Sequence, residues 1–363
     1  MIFIGESVVS SRFSSDKTPM QIRYRLPPCH GLTRNNGTYS FDAQAGRNAV
    51  VILIGTLPPE DAIPLCAAFQ SCREDLDRWN TDIILLADAD GPRAVDVFSL
   101  SIKGVTTVLD SSDFFKHCGF DHCQPMVVLI DQSQRVLAAF GAQTNIADSV
   151  DAVCAMLRSL PTEGAREVVL PAPVLLIPNI FDPVFCRQLI DTFEQGDHRP
   201  GGMASVDAFG QTLHRIDADK KKREDYVVEP GGELCNRIVA TLSEICVPEM
   251  KKAFQFEAGY MDRVLIARYD DTGGYFRRHR DNVAPSVAFR QFALSVNLNT
   301  EAYDGGHLLF PEYNGHRYRP ATGGGIVFSA SLLHEAAPVT KGSRYVLLTF
   351  FHNAESQARR VAA

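Results

Sequence analysis

The sequence predicts a multidomain α/β plus all-β protein: an N-terminal α/β sandwich, then a double-sheet jelly roll with supporting helices. Three observations lead there. Continuous apolar runs, NAVVILIG at 48–55 and TDIILLA at 81–87, alternate with helical patterns in the first half, as strands buried on both faces do. Prolines then gather at Pro161, Pro171, Pro173, Pro178 and Pro183, which marks a boundary. Beyond residue 263 the texture becomes short strand-like runs between glycine-bearing turns. A length of 363 residues suits about two domains. The expected division is 1–160, a linker at 161–178, and 179–356.

Taken in order, residues 1–45 are polar and turn-rich. After the first strand, 63–80 places Leu65, Ala68, Phe69, Cys72, Leu76 and Trp79 at helical spacing. The second strand follows at 81–87, and 91–100 reads as another helix. MVVLID at 126–131 is a third strand, completed as a hairpin by 135–140. Residues 145–160 form a helix with Ile146, Val150, Val153 and Leu157 on one stripe. In the second half, 182–195 is a helix with Asp182 as N-cap and Pro183 at its first position. The stretch 197–229, with Lys220-Lys221-Lys222-Arg223, reads as a solvated loop. Residues 231–254 are helical. The strands RVLIARYD, QFALSVNLN, GHLLFPEY, GIVFSAS and RYVLLTFFHN follow, with turns at Asp304-Gly305-Gly306 and 322–325.

Composition narrows the function. A formal charge of −7 argues against a general nucleic-acid binder, which needs a basic surface. No run approaches the roughly 18 apolar residues of a membrane helix, and the N-terminus shows no secretory leader. Nine scattered cysteines suit a reducing compartment, so a cytoplasmic location is expected.

The chemistry concentrates between Tyr269 and Arg344. His279 and Asp281 are two apart, which on an extended strand places both side chains on one face. With His334 they supply two imidazoles and one carboxylate, the set that holds iron(II) while leaving one face open. A carboxylate at Asp281, where a small residue would leave room for a halide, directs the chemistry toward hydroxylation. Arg344, ten positions after His334, offers the planar fork that a buried carboxylate of a 2-oxo dicarboxylic acid needs. Zinc fits less well, because nothing beside the set reads as a dedicated general base. His307, His316 and His352 read as structural or surface residues. Arg277, Arg278 and Arg280 hint at an anionic group, against a plain reading of solvent exposure.

Residues 263–352, through RYDDTGGYFRRHRDN, YDGGHLLFPEY and GGGIVFSASLLHEAAPVTKGSRYVLLTFF, resemble the prolyl 4-hydroxylase-like group of 2-oxoglutarate- and Fe(II)-dependent dioxygenases. The resemblance implies Fe(II) on His279, Asp281 and His334, and 2-oxoglutarate on Arg344 with Tyr269. It also implies Tyr275 lining the site, O2 as co-substrate and ascorbate as an auxiliary reductant. The expected reaction hydroxylates an unactivated C–H bond of an amino acid, a peptidyl residue (proline included) or a small metabolite. A homodimer is compatible with it; a nucleic-acid or membrane partner is not expected.

Residues 20–160, through YSFDAQAGRNAVVILIG and QPMVVLIDQSQRVLAAF, resemble the peroxiredoxin/thioredoxin-like fold. That family's Pro-x-x-x-Thr/Ser-x-x-Cys motif maps to Pro59, Ile63 and Cys66, with Ile where a hydroxyl belongs, and Gln124 stands near where an arginine is usual. A degenerate domain is expected; the alternative is a thiol peroxidase or redox sensor acting through Cys66. His117-Cys118 and His122-Cys123 read as a loop with free thiols rather than a zinc site.

Overall fold

The computed structural model describes residues 2–3, 22–34, 37–91, 94–99, 102–110, 113–120, 125–141, 146–160, 167–206 and 212–362. The chain forms two compact units, Phe13–Arg166 and Met1–Arg12 with Glu167–Ala363. The strand Ile2–Phe3 pairs with Tyr260–Met261, so these residues belong to the C-terminal unit rather than to the expected first domain 1–160. No helix among the described residues is long and apolar enough to cross a membrane.

The N-terminal unit is a seven-stranded mixed sheet in the spatial order Thr38–Ser40, His30–Thr33, Thr106–Asp110, Thr81–Asp88, Asn48–Gly55, Met126–Ile130, Val136–Gly141. Asn48–Gly55 is buried at all eight positions. Its Val50, Ile52 and Ile54 enter a core with Leu65, Phe69, Val153 and Leu157; Ala49, Val51 and Leu53 enter one with Phe41, Phe114 and Phe115 on the other face. Side-chain alternation along one strand thus feeds two cores, which gives an α/β sandwich. Thr81–Asp88 runs parallel to both Asn48–Gly55 and Thr106–Asp110.

The single helix expected over 63–80 is two, Ile63–Ser71 and Arg73–Arg78. The Cys72 N–H donates to Phe69 O rather than four residues back, a tightened turn that ends the first helix. The second piece then buries Leu76 completely. The strand Thr106–Asp110 was missed because its five residues carry too little apolar pattern. His122, Cys123 and Gln124 lie outside the described residues, as do 161–166 of the expected linker.

The C-terminal unit is a jelly roll of two facing sheets. The main one runs Arg199–Pro200, Glu224–Val227, Leu265–Tyr269, Arg344–His352, Phe292–Asn297, Gly325–Ser329, Val174–Ile177; the smaller runs Lys221–Lys222, Tyr275–His279, His334–Ala336, Leu308–Leu309. Val174–Ile177 pairs with Gly325–Ser329, so the end of the expected linker is an edge strand. Pro173, just before it, needs no ladder partner for its nitrogen. The outer face of the main sheet, with Ile266, Leu294, Leu347 and Phe351, packs on the helices Pro183–Gln195 and Glu233–Phe254. Asp182 caps the first of these, accepting from the Phe185 N–H at 2.7 Å, an interaction worth about 1 kcal/mol. The inner face carries Leu265, Ala267, Tyr269, Val346 and Phe350. The same parity turns Arg344 inward.

The expected solvated loop at 197–229 is largely strand. Glu224–Val227 pairs with Leu265–Tyr269, and Lys221–Lys222 with Tyr275–His279. Alternation buries every second residue of this charged run: the side chains of Lys221 and Asp225 are 2% and 12% exposed, and that of Arg223 is 6%. Asp225 makes this tolerable, since it faces both cations.

Candidate active site

The smaller sheet brings the two imidazoles together. His279 and His334 are cross-strand partners, with ring centroids 4.2 Å apart. Asp281 lies just past the strand end, where its N–H donates to Ala330 O at 2.9 Å. One ligand atom from each of the three residues lies within 4.8 Å of the others. Both histidines are tied from behind: Nδ1 of His279 is 2.7 Å from Arg277 O, and Nδ1 of His334 is 3.0 Å from Leu332 O. A carbonyl only accepts, so each Nδ1 carries the proton. Each Nε2 faces Asp281, 3.5 Å from a carboxylate oxygen in both cases, and is the ring atom left for a metal.

Electrostatics select the protonation states a divalent metal takes. Burial alone would raise the Asp281 pKa, but His334, His279 and Arg290 hold it well below the usual carboxylate range. Burial pushes His334 down to about 4, against the pull of Asp281. The set is one ionised carboxylate, a neutral His334 imidazole and a second imidazole from His279, and it fits Fe(II).

These groups open on a pocket of about 100 Å³ that Tyr269, Phe276, Phe328, Leu348, Phe350 and Arg344 also line. Arg344 is 2% exposed. Its Nη2 donates to Asn297 Oδ1 at 3.3 Å, while its Nε is buried without a partner. A Cβ on Gly306 would come 2.8 Å from Arg344 Cδ, so the Asp304-Gly305-Gly306 turn leaves room for this side chain. Tyr269 pairs with Arg344 across the strands and lies under its guanidinium, 5.1 Å from ring centroid to Cζ. The Tyr269 hydroxyl accepts from Arg223 Nη1 at 3.0 Å.

Tyr275 is the exception among the expected site residues. It does not line the pocket; its hydroxyl donates to Ala218 O at 2.7 Å. Pairing slips between Phe276 and His279, and such an irregularity inverts the alternation, so Phe276 takes the inward place and stacks on His279 with centroids 3.4 Å apart. Arg277 and Arg278 are exposed, with Arg278 on Glu335 at 3.3 Å. The cations that reach the pocket were missed: Lys221, Arg223, Arg263 and Arg290. Inward parity on Leu265–Tyr269, extended back to 263, was the available signal for Arg263.

In the N-terminal unit Cys66 is fully buried in the helix Ile63–Ser71. Burial pushes its thiol up to about 12. That disfavours the thiolate on which peroxidase chemistry depends. Cys118 is likewise buried and raised to about 12.

Residues 264–352 match the 2OG-Fe(II) oxygenase superfamily. The chain is 30% identical over 112 residues to a PKHD-type hydroxylase of Maricaulis maris, a match covering 28% of this chain and 50% of that protein. It is 28% identical over 200 residues to a PKHD-type hydroxylase of Delftia acidovorans, covering 52% of this chain and 83% of the other. Among solved structures, a prolyl-4-hydroxylase of Pseudomonas putida aligns at a TM-score of 0.40 and 18% identity, over 50% of this chain and 93% of that one. Peroxiredoxin Q of Xanthomonas campestris aligns at 0.32 and 14%, over 38% and 98%. The C-terminal unit carries a 2OG-Fe(II) oxygenase domain, a class whose cofactor is Fe(II) and whose co-substrate is 2-oxoglutarate.

Proposed function

We propose that the chain is a 2-oxoglutarate- and Fe(II)-dependent dioxygenase that hydroxylates an unactivated C–H bond. The observation that carries this reading is the cluster of His279, Asp281 and His334, opening on a pocket that also holds a buried arginine. In this reading the two Nε2 atoms and an Asp281 oxygen hold Fe(II), and the pocket side stays open for co-substrate and O2. Bound there, Fe(II) supplies O2 activation that couples decarboxylation of 2-oxoglutarate to succinate and CO2 with delivery of one oxygen atom to a C–H bond.

The protein's own groups orient and exclude. The Arg277 and Leu332 carbonyls fix both imidazole tautomers. Arg344, with its unsatisfied Nε, receives the distal carboxylate of 2-oxoglutarate as a fork. Tyr269 forms the adjoining wall. Phe276, Phe328 and Phe350 keep bulk water from the reacting end. The oxidised molecule is an amino acid, a peptidyl residue such as proline, or a small metabolite. With labelled O2, one labelled oxygen should enter succinate and one the hydroxylated product. Product without label would refute hydroxylation by this route.

A further inference from the structure

The pocket wall carries more positive charge than the co-substrate uses. Lys221, Arg223, Arg263, Arg280, Arg290 and Arg344 all line it, and the one lining carboxylate among the described residues is Asp281. Most of these cations are answered by acids behind the wall. Arg280 meets Glu312 at 2.6 Å. Arg290 donates to Asp262 Oδ2 through Nε and Nη2, at 2.9 and 2.6 Å. Lys221 and Arg223 share Asp225. Arg263 differs: it is exposed at the pocket wall and makes no hydrogen bond or ion pair among the described residues. Desolvation at the pocket wall and the neighbouring Arg290 and Arg223 guanidiniums lower its pKa, against the pull of Asp262 and Asp225.

Its position separates it from the co-substrate's arginine. Tyr269 pairs with Arg344 at one end of the inner face. At the other, Asp262, the residue before Arg263, donates its N–H to Phe350 O at 2.9 Å. Arg344 and Phe350 are six residues apart on one strand, about 20 Å of backbone. His334 packs on Phe328 with centroids 4.6 Å apart, and Phe328 and Phe350 are both cross-strand partners of Ala293. The ligand cluster therefore lies toward the Arg263 end. Leu348, between Arg344 and Phe350 on the same strand, and Val287 add apolar wall to the pocket.

We propose that the molecule oxidised in this pocket is an aliphatic carboxylate, its anionic end docked on Arg263 with Arg290 behind it, beside the metal ligands and apart from Arg344. This rests on the dioxygenase reading above.

The test is calorimetric titration of the full chain, held without O2 and with Fe(II) and saturating 2-oxoglutarate so that Arg344 is occupied. The probes are hexanoate, hexanamide and hexyl phosphate. Fe(II)-dependent binding of 2-oxoglutarate is measured first, and its absence would fail the dioxygenase reading rather than this one. Given that binding, hexanoate should bind at least about ten-fold more tightly than hexanamide. Arg263→Met should remove most of that preference, and Arg263→Lys should restore part of it. Arg344→Met should weaken 2-oxoglutarate by a larger factor than it weakens hexanoate. The proposal is overturned if hexanamide matches hexanoate, if neither binds, if hexyl phosphate binds more tightly than hexanoate, or if Arg263→Met leaves hexanoate affinity unchanged in a protein of wild-type melting temperature.

Discussion

Cys66 in the N-terminal unit, fully buried, and Asp281 in the C-terminal unit, its side chain 12% exposed, are both ionisable groups at a position that a reactive motif singles out. Their surroundings drive them in opposite directions. Burial raises both, but at Asp281 the imidazoles of His334 and His279 and the charge of Arg290 overturn it and keep the carboxylate ionised. Around Cys66 no comparable charge opposes burial, and the thiol stays protonated. The lesson is that the partner atoms, more than the reactive residue, separate a working site from a packed one.

The sharpest way to break this comparison is to remove the C-terminal ligands. Asp281→Ala should lower Fe(II) affinity by more than about 100-fold, beyond the range for residues that only orient ligands. Equilibrium dialysis with metal analysis checks this; near-normal loading would place the metal elsewhere. Next is Arg344→Met, which should raise the KM for 2-oxoglutarate by about 100-fold, because a buried carboxylate then loses its fork. Arg344→Lys should recover part of the loss, since it keeps the charge without the planar geometry. An unchanged KM in Arg344→Met would free Arg344 from that role.

On the other side, Cys66→Ser should leave peroxide consumption at the same negligible rate as wild type. It should cost about 1–3 kcal/mol of stability, because a hydroxyl replaces a thiol in a fully buried site. Peroxide turnover that Cys66→Ser abolishes would restore the N-terminal unit as an active half.

The smallest expected effect concerns Lys221, whose burial and neighbour Arg223 lower its pKa from 10.5 to about 7 despite Asp225. Between those values the unfolded chain holds the proton and the folded one releases it. Lys221 therefore costs stability fully below pH 7, and the cost fades as pH rises toward 10. Wild type should gain melting temperature relative to Lys221→Met between pH 7 and 8, by the equivalent of about 1 kcal/mol. A constant gap would show Lys221 charged throughout.

Much of this architecture was legible because its signals are local. NAVVILIG is apolar at nearly every position, and a strand buried on both faces needs nothing more. Asp182 and Pro183 announced a helix start that the structure repeats. What escaped depends on partners distant in sequence. Lys221 and Arg223 look solvated in a charge run until the strand alternation and Asp225 are seen together. The inward turn of Phe276, and with it the displacement of Tyr275, follows from a pairing slip that no local pattern encodes. Arg263 and Arg290 become pocket residues only once the two sheets face each other.

The most direct test of the central claim is succinate release from 2-oxoglutarate by the full chain, with and without Fe(II), beside His334→Ala. Release should require Fe(II) and be lost in the variant. Release that persists without Fe(II), or survives in His334→Ala at the wild-type rate, would contradict that claim.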